Sequence, residues 1–227
     1  MGSAFDGMWS AIGRQFRLPA GFGGRVMGRV MELINAAPNR EAIAALEIAP
    51  TDVVLEIGFG PGCAIEALAA MTPKGKVFGV DPSEEMLTSA SRRNRGAIGE
   101  GRVRLMKGRA DDWRLDPESI DKILAVNVAY FFEDDREFIA AQRILKPGGK
   151  MAIYVTDKSS MSRWKFASPA THRLFGRDEL AATIGRAGFD DRDTSIREID
   201  VAPGVKGLVA TARKRPLSAA REGGDTL

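Results

Sequence analysis

The stretch VLEIGFGPGCAIEAL, residues 54–68, decides the fold. It begins as an apolar run rich in branched residues, the composition of a buried strand, and carries Glu56 near its end. Three glycines then fall within five positions, at 58, 60 and 62. Glycine is unfavourable inside a strand or helix, so the backbone is expected to turn sharply there. With a helix predicted over residues 63–71, the stretch is a strand, glycine loop and helix, an arrangement that cradles nucleotides.

The rest of the chain alternates in the same way. Apolar runs predict strands, and amphipathic segments between them predict helices. The strands are predicted at 52–57, 76–81, 102–108, 121–128 and 150–157, and the later helices at 83–95, 133–145 and 177–188. This alternation implies crossover connections and a parallel sheet. Two further strands, 193–200 and 204–215, have no helix between them and are expected to be antiparallel.

Composition excludes several classes of protein. The 227 residues carry a net charge of +3 with both signs interleaved, which favours a mixed solvated surface over a nucleic-acid face. No apolar run reaches the roughly 20 residues that cross a bilayer, so we expect no membrane span and a cytoplasmic protein. The single cysteine, Cys63, excludes an internal disulfide and a cysteine-rich zinc site, and we expect no metal.

The glycine spacing and Glu56 indicate which nucleotide the loop holds. A dinucleotide site has the pattern G-x-G-x-x-G, but the sixth position here is Cys63. The carboxylate of Glu56 would repel a pyrophosphate and attract an ammonium group. S-adenosylmethionine has an ammonium group, a sulfonium and no phosphate. Asp81, at the end of the second predicted strand, can accept ribose hydroxyls, although it suits a nicotinamide dinucleotide equally well.

At these residues the sequence resembles the class I S-adenosylmethionine-dependent methyltransferases, over roughly residues 50–157. It is most similar to the small-molecule branch that includes the ubiquinone/menaquinone-biosynthesis methyltransferases. The matching stretches are VLEIGFGPG, VFGVDPSEEML, DKILAVNV and ILKPGGKMAIY. The resemblance implies an α/β fold: a Rossmann-like seven-stranded sheet, mostly parallel with the last strand antiparallel, flanked by helices. We expect an N-terminal helical arm and lid at 1–49, the methyltransferase domain at 50–215 and a disordered tail at 216–227.

The resemblance also implies the cofactor-binding residues. Those around the methionine part are Glu56, Gly58, Gly60 and Gly62, and Phe59 is a further cofactor-binding residue. Asp81 is expected on the ribose, Pro82 beside the adenine and Asn127 beneath the transferring methyl group. One position departs from the family, in which many members have an aspartate after the third strand that meets the adenine amino group. This chain has Arg109 there, so we expect the Ala110 backbone N–H or the Asp111 carboxylate to substitute.

Methyl transfer is an in-line displacement that depends mainly on alignment, and held geometry alone supplies ~7–11 kcal/mol of a barrier. A dedicated acid or base is therefore not required. Two candidates remain: His172, the only histidine, as a base or as a structural side chain, and Tyr130, as a pocket residue or a packed aromatic. Cys63 is interpreted as a small buried residue near the cofactor.

Aromatic residues flank the predicted site and form either a lid or a docking surface for the arm. They are Trp9, Phe16, Phe22, Trp164, Phe166 and Phe175. A lid would favour a hydrophobic or aromatic acceptor. Arg14, Gln15 and Arg17 are expected to contact the cofactor carboxylate, an anionic substrate or solvent.

The sequence therefore predicts S-adenosylmethionine-dependent methylation of a small, hydrophobic or aromatic acceptor at oxygen, nitrogen, sulfur or carbon. The main alternative is an RNA or protein methyltransferase. The Asn-Pro-Pro-Tyr motif that such enzymes use for planar amino groups is absent, and no nucleic-acid partner is expected. A nicotinamide oxidoreductase and a non-catalytic binder are weaker alternatives, because of Glu56 and the intact glycine loop respectively.

Overall fold

The computed structural model of the chain describes residues 21–109, 115–164, 167 and 172–216, with side chains from residue 32 onward. These residues form a sheet of seven strands in the order β3-β2-β1-β4-β5-β7-β6. The strands are β1 Val53–Ile57, β2 Lys76–Asp81, β3 Val103–Lys107, β4 Ile120–Val126, β5 Leu145–Thr156, β6 Thr194–Ala202 and β7 Val205–Arg213. The helices are α1 Gly21–Leu46, α2 Cys63–Met71, α3 Glu84–Arg93, α4 Arg95–Gly99, α5 Arg136–Ile144, α6 Lys158–Met161 and α7 Arg177–Arg186, and two 3₁₀ turns lie at Ala129–Phe131 and Asp191–Asp193.

Strand directions confirm the predicted fold. The pairs β1–β2, β2–β3, β1–β4 and β4–β5 are parallel, and β7 runs antiparallel to both β5 and β6. The strand order changes direction between β1 and β4, so the helices that follow these two strands pack on opposite sides. In open α/β sheets a crevice forms at the carboxyl ends of strands at such a switch point. The loop carrying the three glycines follows β1 and lies at this crevice.

Both faces of the sheet are buried. Leu55 of β1 belongs to a core cluster that includes Phe138 of α5 and Leu180 of α7. Its neighbour Val54 belongs to the cluster on the other face, with Leu46 of α1 and other residues of α1–α3. Because each face carries its own helices, the central strands are apolar on both sides and appear in the sequence as continuous hydrophobic runs.

Helix α1 corrects one prediction. Apolar residues at spacings of three and four predict a helix over 24–37 that stops at Pro38, followed by a second helix over 40–46, but α1 continues through Pro38 to Leu46. Proline in a helix costs roughly 3 kcal/mol, because it removes one hydrogen bond and crowds the preceding turn. Beyond it, Ala42 and Leu46 are completely buried where α1 packs over β4, β5 and β7, and this burial offsets the cost. The first 20 residues of the predicted arm and residues 217–227 of the predicted tail lie outside the described residues.

Candidate active site

A cavity of about 240 Å³ opens at the carboxyl edge of the sheet, at the switch point between β1 and β4. Its wall is formed by the β1–α2 loop, by the residues that follow β2, β3 and β4, and by the first turn of α5. Helix α1 contributes the face that carries Glu32, Asn35 and Asn39. The parallel strands thus bring together segments that are distant in the sequence.

The β1–α2 loop requires glycine at the predicted positions. Gly58, Gly60 and Gly62 have φ angles of 73°, 50° and 84°, in the left-handed region that other residues rarely adopt. A Cβ at Gly58 would lie 2.5 Å from a methyl carbon of Val128, and one at Gly62 would lie 2.7 Å from the Cβ of Ala90. The Gly58 N–H donates to the Val80 carbonyl at 2.7 Å, which ties the loop to β2. All three glycines are therefore fixed by backbone geometry.

Glu56 lies in the cavity wall near the end of β1 and is 3% exposed. Its Oε2 has no hydrogen-bond partner in the part of the chain that the structure describes. Burial raises the pKa of this carboxyl well above its usual range, and the nearby Asp81 raises it further. A buried acceptor without a partner costs about 1–3 kcal/mol. The arrangement is suited to a cationic ligand group that would satisfy this oxygen.

Asp81, at the end of β2, bridges the glycine loop and α3. Its Oδ2 accepts from the Gly60 N–H and its Oδ1 from the Ser83 N–H, both at 2.9 Å. Burial raises the pKa of Asp81 to about 6, against the opposing effect of these two hydrogen bonds. Each carboxylate oxygen has a second lone pair, so Asp81 can still accept from a ligand hydroxyl. Pro82, the predicted adenine neighbour, also lines the cavity.

The wall beyond β3 is built from charged side chains. Arg109 donates to Glu137 Oε1 at 2.5 Å and to Glu133 Oε1 at 3.0 Å. The hydrogen bond to Glu137 is the main cause of the raised pKa of Arg109. Glu137, in the first turn of α5, is 2% exposed and lines the cavity, and its Oε2 has no partner among the described residues. Ala110 and Asp111, the predicted substitutes at this position, lie outside the described residues.

Sequence reasoning missed Glu137. An acidic residue in the first turn of a helix is ordinarily interpreted as an exposed group that favours the helix dipole. One feature of the sequence could have indicated Glu137. Arg109 stands where many family members have an aspartate, and a basic side chain at that position is expected to pair with an acidic one.

Asn127, the residue after β4, connects the cavity to α1. It lies in the cavity wall with a φ angle of 54°, which asparagine tolerates better than most residues. Its Nδ2 donates to Asn35 Oδ1 at 2.7 Å. Its Oδ1 accepts from the Tyr130 hydroxyl, also at 2.7 Å. The two side chains thus hold Asn127 from opposite sides.

Tyr130 and His172, the predicted catalytic candidates, lie side by side but outside the described lining of the cavity. Tyr130 is buried, and its hydroxyl also accepts from the Thr156 N–H. Burial raises the pKa of Tyr130. His172 is buried as well, with its ring 5.0 Å from the ring of Phe131, which does line the cavity.

The aromatic residues of the cavity differ from those of the predicted lid. Phe59, a predicted cofactor residue, lines the cavity together with Phe131 and Phe132, which the sequence analysis did not single out. Trp164 and Phe175 belong to the core on the α5 face instead. The remaining members, Trp9, Phe16, Phe166 and the side chain of Phe22, lie outside the described residues, as do Arg14, Gln15 and Arg17.

Cys63 begins α2 at the cavity wall and is partly buried. Burial raises the pKa of its thiol to about 11, which disfavours the reactive thiolate. The described residues contain no cluster of three or more potential metal ligands. Within the same part of the chain, none of the helices has the length and apolarity needed to cross a membrane.

Comparison with known proteins identifies the family. Residues 54–149 match a family model described as a methyltransferase domain. The chain is 33% identical over 190 residues to the uncharacterized methyltransferase YdaC of Bacillus subtilis, covering 83% of this chain and 98% of that protein. It is 25% identical over 191 residues to the ubiquinone/menaquinone biosynthesis C-methyltransferase UbiE of Geotalea daltonii, covering 72% and 81%.

The fold is similar to that of a solved S-adenosylmethionine-dependent methyltransferase from Aquifex aeolicus. The TM-score is 0.65 at 19% sequence identity, over 84% of this chain and 99% of that chain. The resemblance drawn from the glycine loop is therefore confirmed over most of the chain. The chain belongs to the class I S-adenosylmethionine-dependent methyltransferases.

Proposed function

We propose that this enzyme methylates a small, hydrophobic or aromatic acceptor, and that the cavity at the carboxyl edge binds the methyl donor. The observation that carries the proposal is the buried Glu56 Oε2, which has no partner within the described residues and lies beside a glycine loop. S-adenosylmethionine, when bound, supplies a methyl group on a positively charged sulfur. Its ammonium group fits Glu56 and its ribose fits Asp81.

The glycine loop serves this ligand through its backbone. The absence of side chains at Gly58, Gly60 and Gly62 permits close approach to the backbone, and none of the three positions tolerates a Cβ without strain. Asp81 holds the Gly60 N–H at 2.9 Å and so fixes the loop relative to the proposed ribose site. In this proposal β1 and β2 together bind the cofactor in one orientation.

Alignment is the main contribution of the chain to the reaction. Asn127 is held by Asn35 and Tyr130, and it lies in the wall next to Val128. This wall, which the family places beneath the methyl group, orients the donor against the acceptor. In well-aligned reactions such positioning can lower the barrier by as much as ~7–11 kcal/mol. Tyr130 acts in this scheme by positioning Asn127, and the role of His172 as a base stays a prediction.

The aromatic part of the wall supports a small acceptor with an apolar surface. Phe131 and Phe132, which are neighbours in the sequence, both line the cavity and make part of its wall apolar. A relative named for ubiquinone/menaquinone biosynthesis supports the same class of acceptor.

Calorimetric titration of Glu56→Gln with S-adenosylhomocysteine tests the ammonium site. The substitution keeps the shape and removes the charge, so we expect affinity to fall by about 10- to 100-fold, as for a lost hydrogen bond to a charged group. The matched control is Glu66→Gln on α2, an exposed glutamate that pairs with Arg93 at 3.3 Å. The control should bind as the wild type does, and wild-type affinity in Glu56→Gln would show that the ammonium group binds elsewhere.

Transfer of labelled methyl groups tests the acceptor class. The wild type is incubated with labelled S-adenosylmethionine and, in separate reactions, with a panel of hydrophobic and aromatic small molecules, with bulk RNA and with bulk protein. We expect label in the small-molecule reactions. Label in RNA or protein alone would contradict the proposed acceptor and leave the donor assignment intact.

A further inference from the structure

The cavity contains a second buried carboxylate oxygen that has no partner among the described residues. Glu56 Oε2 and Glu137 Oε2 are both fully buried, both residues line the cavity, and neither oxygen has a hydrogen-bond partner in the described part of the chain. The proposed ammonium group satisfies the first oxygen. The second lies in the first turn of α5, beside the residues that follow β3, and the proposed function does not explain it.

The carboxylate of Glu137 is held in place through Oε1, which accepts a hydrogen bond, whereas Oε2 has no partner among the described residues. Arg109 donates to Oε1 at 2.5 Å and is itself anchored by Glu133 at 3.0 Å. The positive end of the α5 dipole also stabilises a negative charge at this position. Burying a carboxylate oxygen without a hydrogen-bond partner costs free energy. The position of Glu137 Oε2 in a cavity wall therefore indicates that a ligand supplies the missing donor.

The position of Glu137 indicates which ligand group this is. Strand β3 is the neighbour of β2, and the residues after β3, Gly108 and Arg109, line the same cavity as Asp81 and Pro82. A nucleoside held through its ribose at Asp81 places its base along this part of the wall. Adenine carries an exocyclic amino group, an N–H donor that matches a carboxylate acceptor.

We propose that Glu137 accepts a hydrogen bond from the adenine amino group of the cofactor, with Arg109 as the residue that positions the carboxylate. The carboxylate that related enzymes supply directly after the third strand comes here from α5, because Arg109 stands at that place. Glu137 thereby selects purines with an amino group and disfavours those with a carbonyl oxygen, which would bring two acceptors together. This inference rests on the proposed cofactor site.

The test compares two ligands within each protein variant by calorimetry. The ligands are S-adenosylhomocysteine and its inosine analogue, which has a carbonyl oxygen in place of the amino group. We expect the wild type to prefer the adenine compound by about 10- to 100-fold, the effect of one hydrogen bond to a charged group. In Glu137→Gln the amide can accept from the amino group and donate to the carbonyl oxygen, so the preference should fall to about threefold or less.

Glu100→Gln is the matched control, since it makes the same change in an exposed glutamate that pairs with another arginine, Arg102, outside the described cavity wall. It should keep the wild-type preference. Urea unfolding establishes that each variant is folded. If Glu137→Gln does not fold, the double variant Arg109→Leu with Glu137→Leu removes both charges together, so that neither is left without its partner, and it should also lose the preference.

Two results would overturn the assignment of Glu137. These are equal binding of the two ligands by the wild type, and an unchanged preference in folded Glu137→Gln, whether or not that variant binds both ligands more weakly. Each of them leaves the cofactor site standing, provided that the wild type binds S-adenosylhomocysteine. Failure of the wild type to bind that ligand would instead remove the proposed function together with this inference.

Discussion

The two ends of the cavity are built on different principles. At the end formed by β1 and β2, backbone N–H groups, three glycines with positive φ and two strand-end carboxylates make the wall. At the end formed by β3 and α5, the wall depends on side chains that reach across 28 positions of sequence, from Arg109 to Glu137. The first end is fixed by the path of the main chain, and the second by a pairing of charges.

This difference has consequences for how each end tolerates change. A backbone-defined site fails when a residue cannot adopt the required dihedral angles, whatever its chemistry. A site made from paired side chains can be rebuilt with other residues, provided that charge and hydrogen bonding remain satisfied. We therefore expect the largest effects of substitution in the glycine loop and smaller effects where side chains meet.

Gly58→Ala should have the largest effect. The left-handed conformation costs an alanine about 1–2 kcal/mol, and the new Cβ, 2.5 Å from Val128, adds an overpacking cost of about 1–3 kcal/mol. The free energy of unfolding, measured in urea, should fall by about 2–5 kcal/mol, the sum of these two contributions. Binding of S-adenosylhomocysteine should be lost in the folded fraction.

Gly101→Ala separates the two contributions. Gly101 has a similar φ of 71°, but no described atom lies within 4 Å of the position that a Cβ would occupy there. This control should lose only about 1–2 kcal/mol and keep full ligand affinity. If both variants lost the same free energy of unfolding, the side chain of Val128 would be able to move away from the new Cβ at no cost. The glycine loop would then be less tightly packed than its backbone geometry suggests.

The protonation of Asp81 tests the same end of the cavity through pH. Its folded-state pKa of about 6 exceeds the ordinary value of 3.8, so the folded protein holds a proton that the unfolded chain has lost between these two values. The contribution of Asp81 to stability is therefore present at low pH and is lost as pH rises from about 4 to about 6. A shift of two pKa units corresponds to a loss on the order of 3 kcal/mol.

Urea unfolding of the wild type and Asp81→Asn from pH 4 to 7.5 measures this contribution. The variant changes hydrogen bonds by an amount that does not depend on pH, so the difference in stability, wild type minus variant, should fall as pH rises. Asp116→Asn, the same change at an exposed residue, provides the charge control. Affinity for S-adenosylhomocysteine should rise through the same window in the wild type, because ribose hydroxyls donate to the charged carboxylate. Parallel stability curves for the wild type and Asp81→Asn would contradict the burial of this group.

The elements that form the backbone-defined end could be predicted from the sequence, for physical reasons. Glycine spacing, a strand-end Glu56 and a second strand-end Asp81 are local patterns, and a parallel sheet brings strand ends together at one edge. The helix predicted over 63–71 and the strand predicted over 76–81 match α2 and β2. The seven-stranded sheet with its antiparallel last strand was implied by the family resemblance and not by these local patterns, and the order of the strands was not predicted.

The other end could not be predicted in the same way. The pairing of Arg109 with Glu137 depends on how α5 packs on the sheet. In the same way, the contact of Asn127 with Asn35, 92 positions away, depends on the packing of α1. No local pattern encodes either contact. The continuation of α1 through Pro38 was mispredicted for a related reason, since tertiary burial of the helix outweighed a strong local signal.

Asn35→Ala should have the smallest measurable effect. It removes the 2.7 Å hydrogen bond that joins α1 to Asn127, at a partly buried position, and should lower the free energy of unfolding by about 0.5–1.5 kcal/mol. Leu33→Ala, on the same helix at a residue that is 82% exposed, is the control and should change stability by less than about 0.5 kcal/mol. If Asn35→Ala lowered the free energy of unfolding by more than Gly58→Ala does, side-chain contacts would matter more to stability than the backbone geometry of the glycine loop. A loss equal to that of the control would show that the contact between α1 and Asn127 contributes nothing, and that the backbone alone holds the edge of the sheet on which the cofactor site depends.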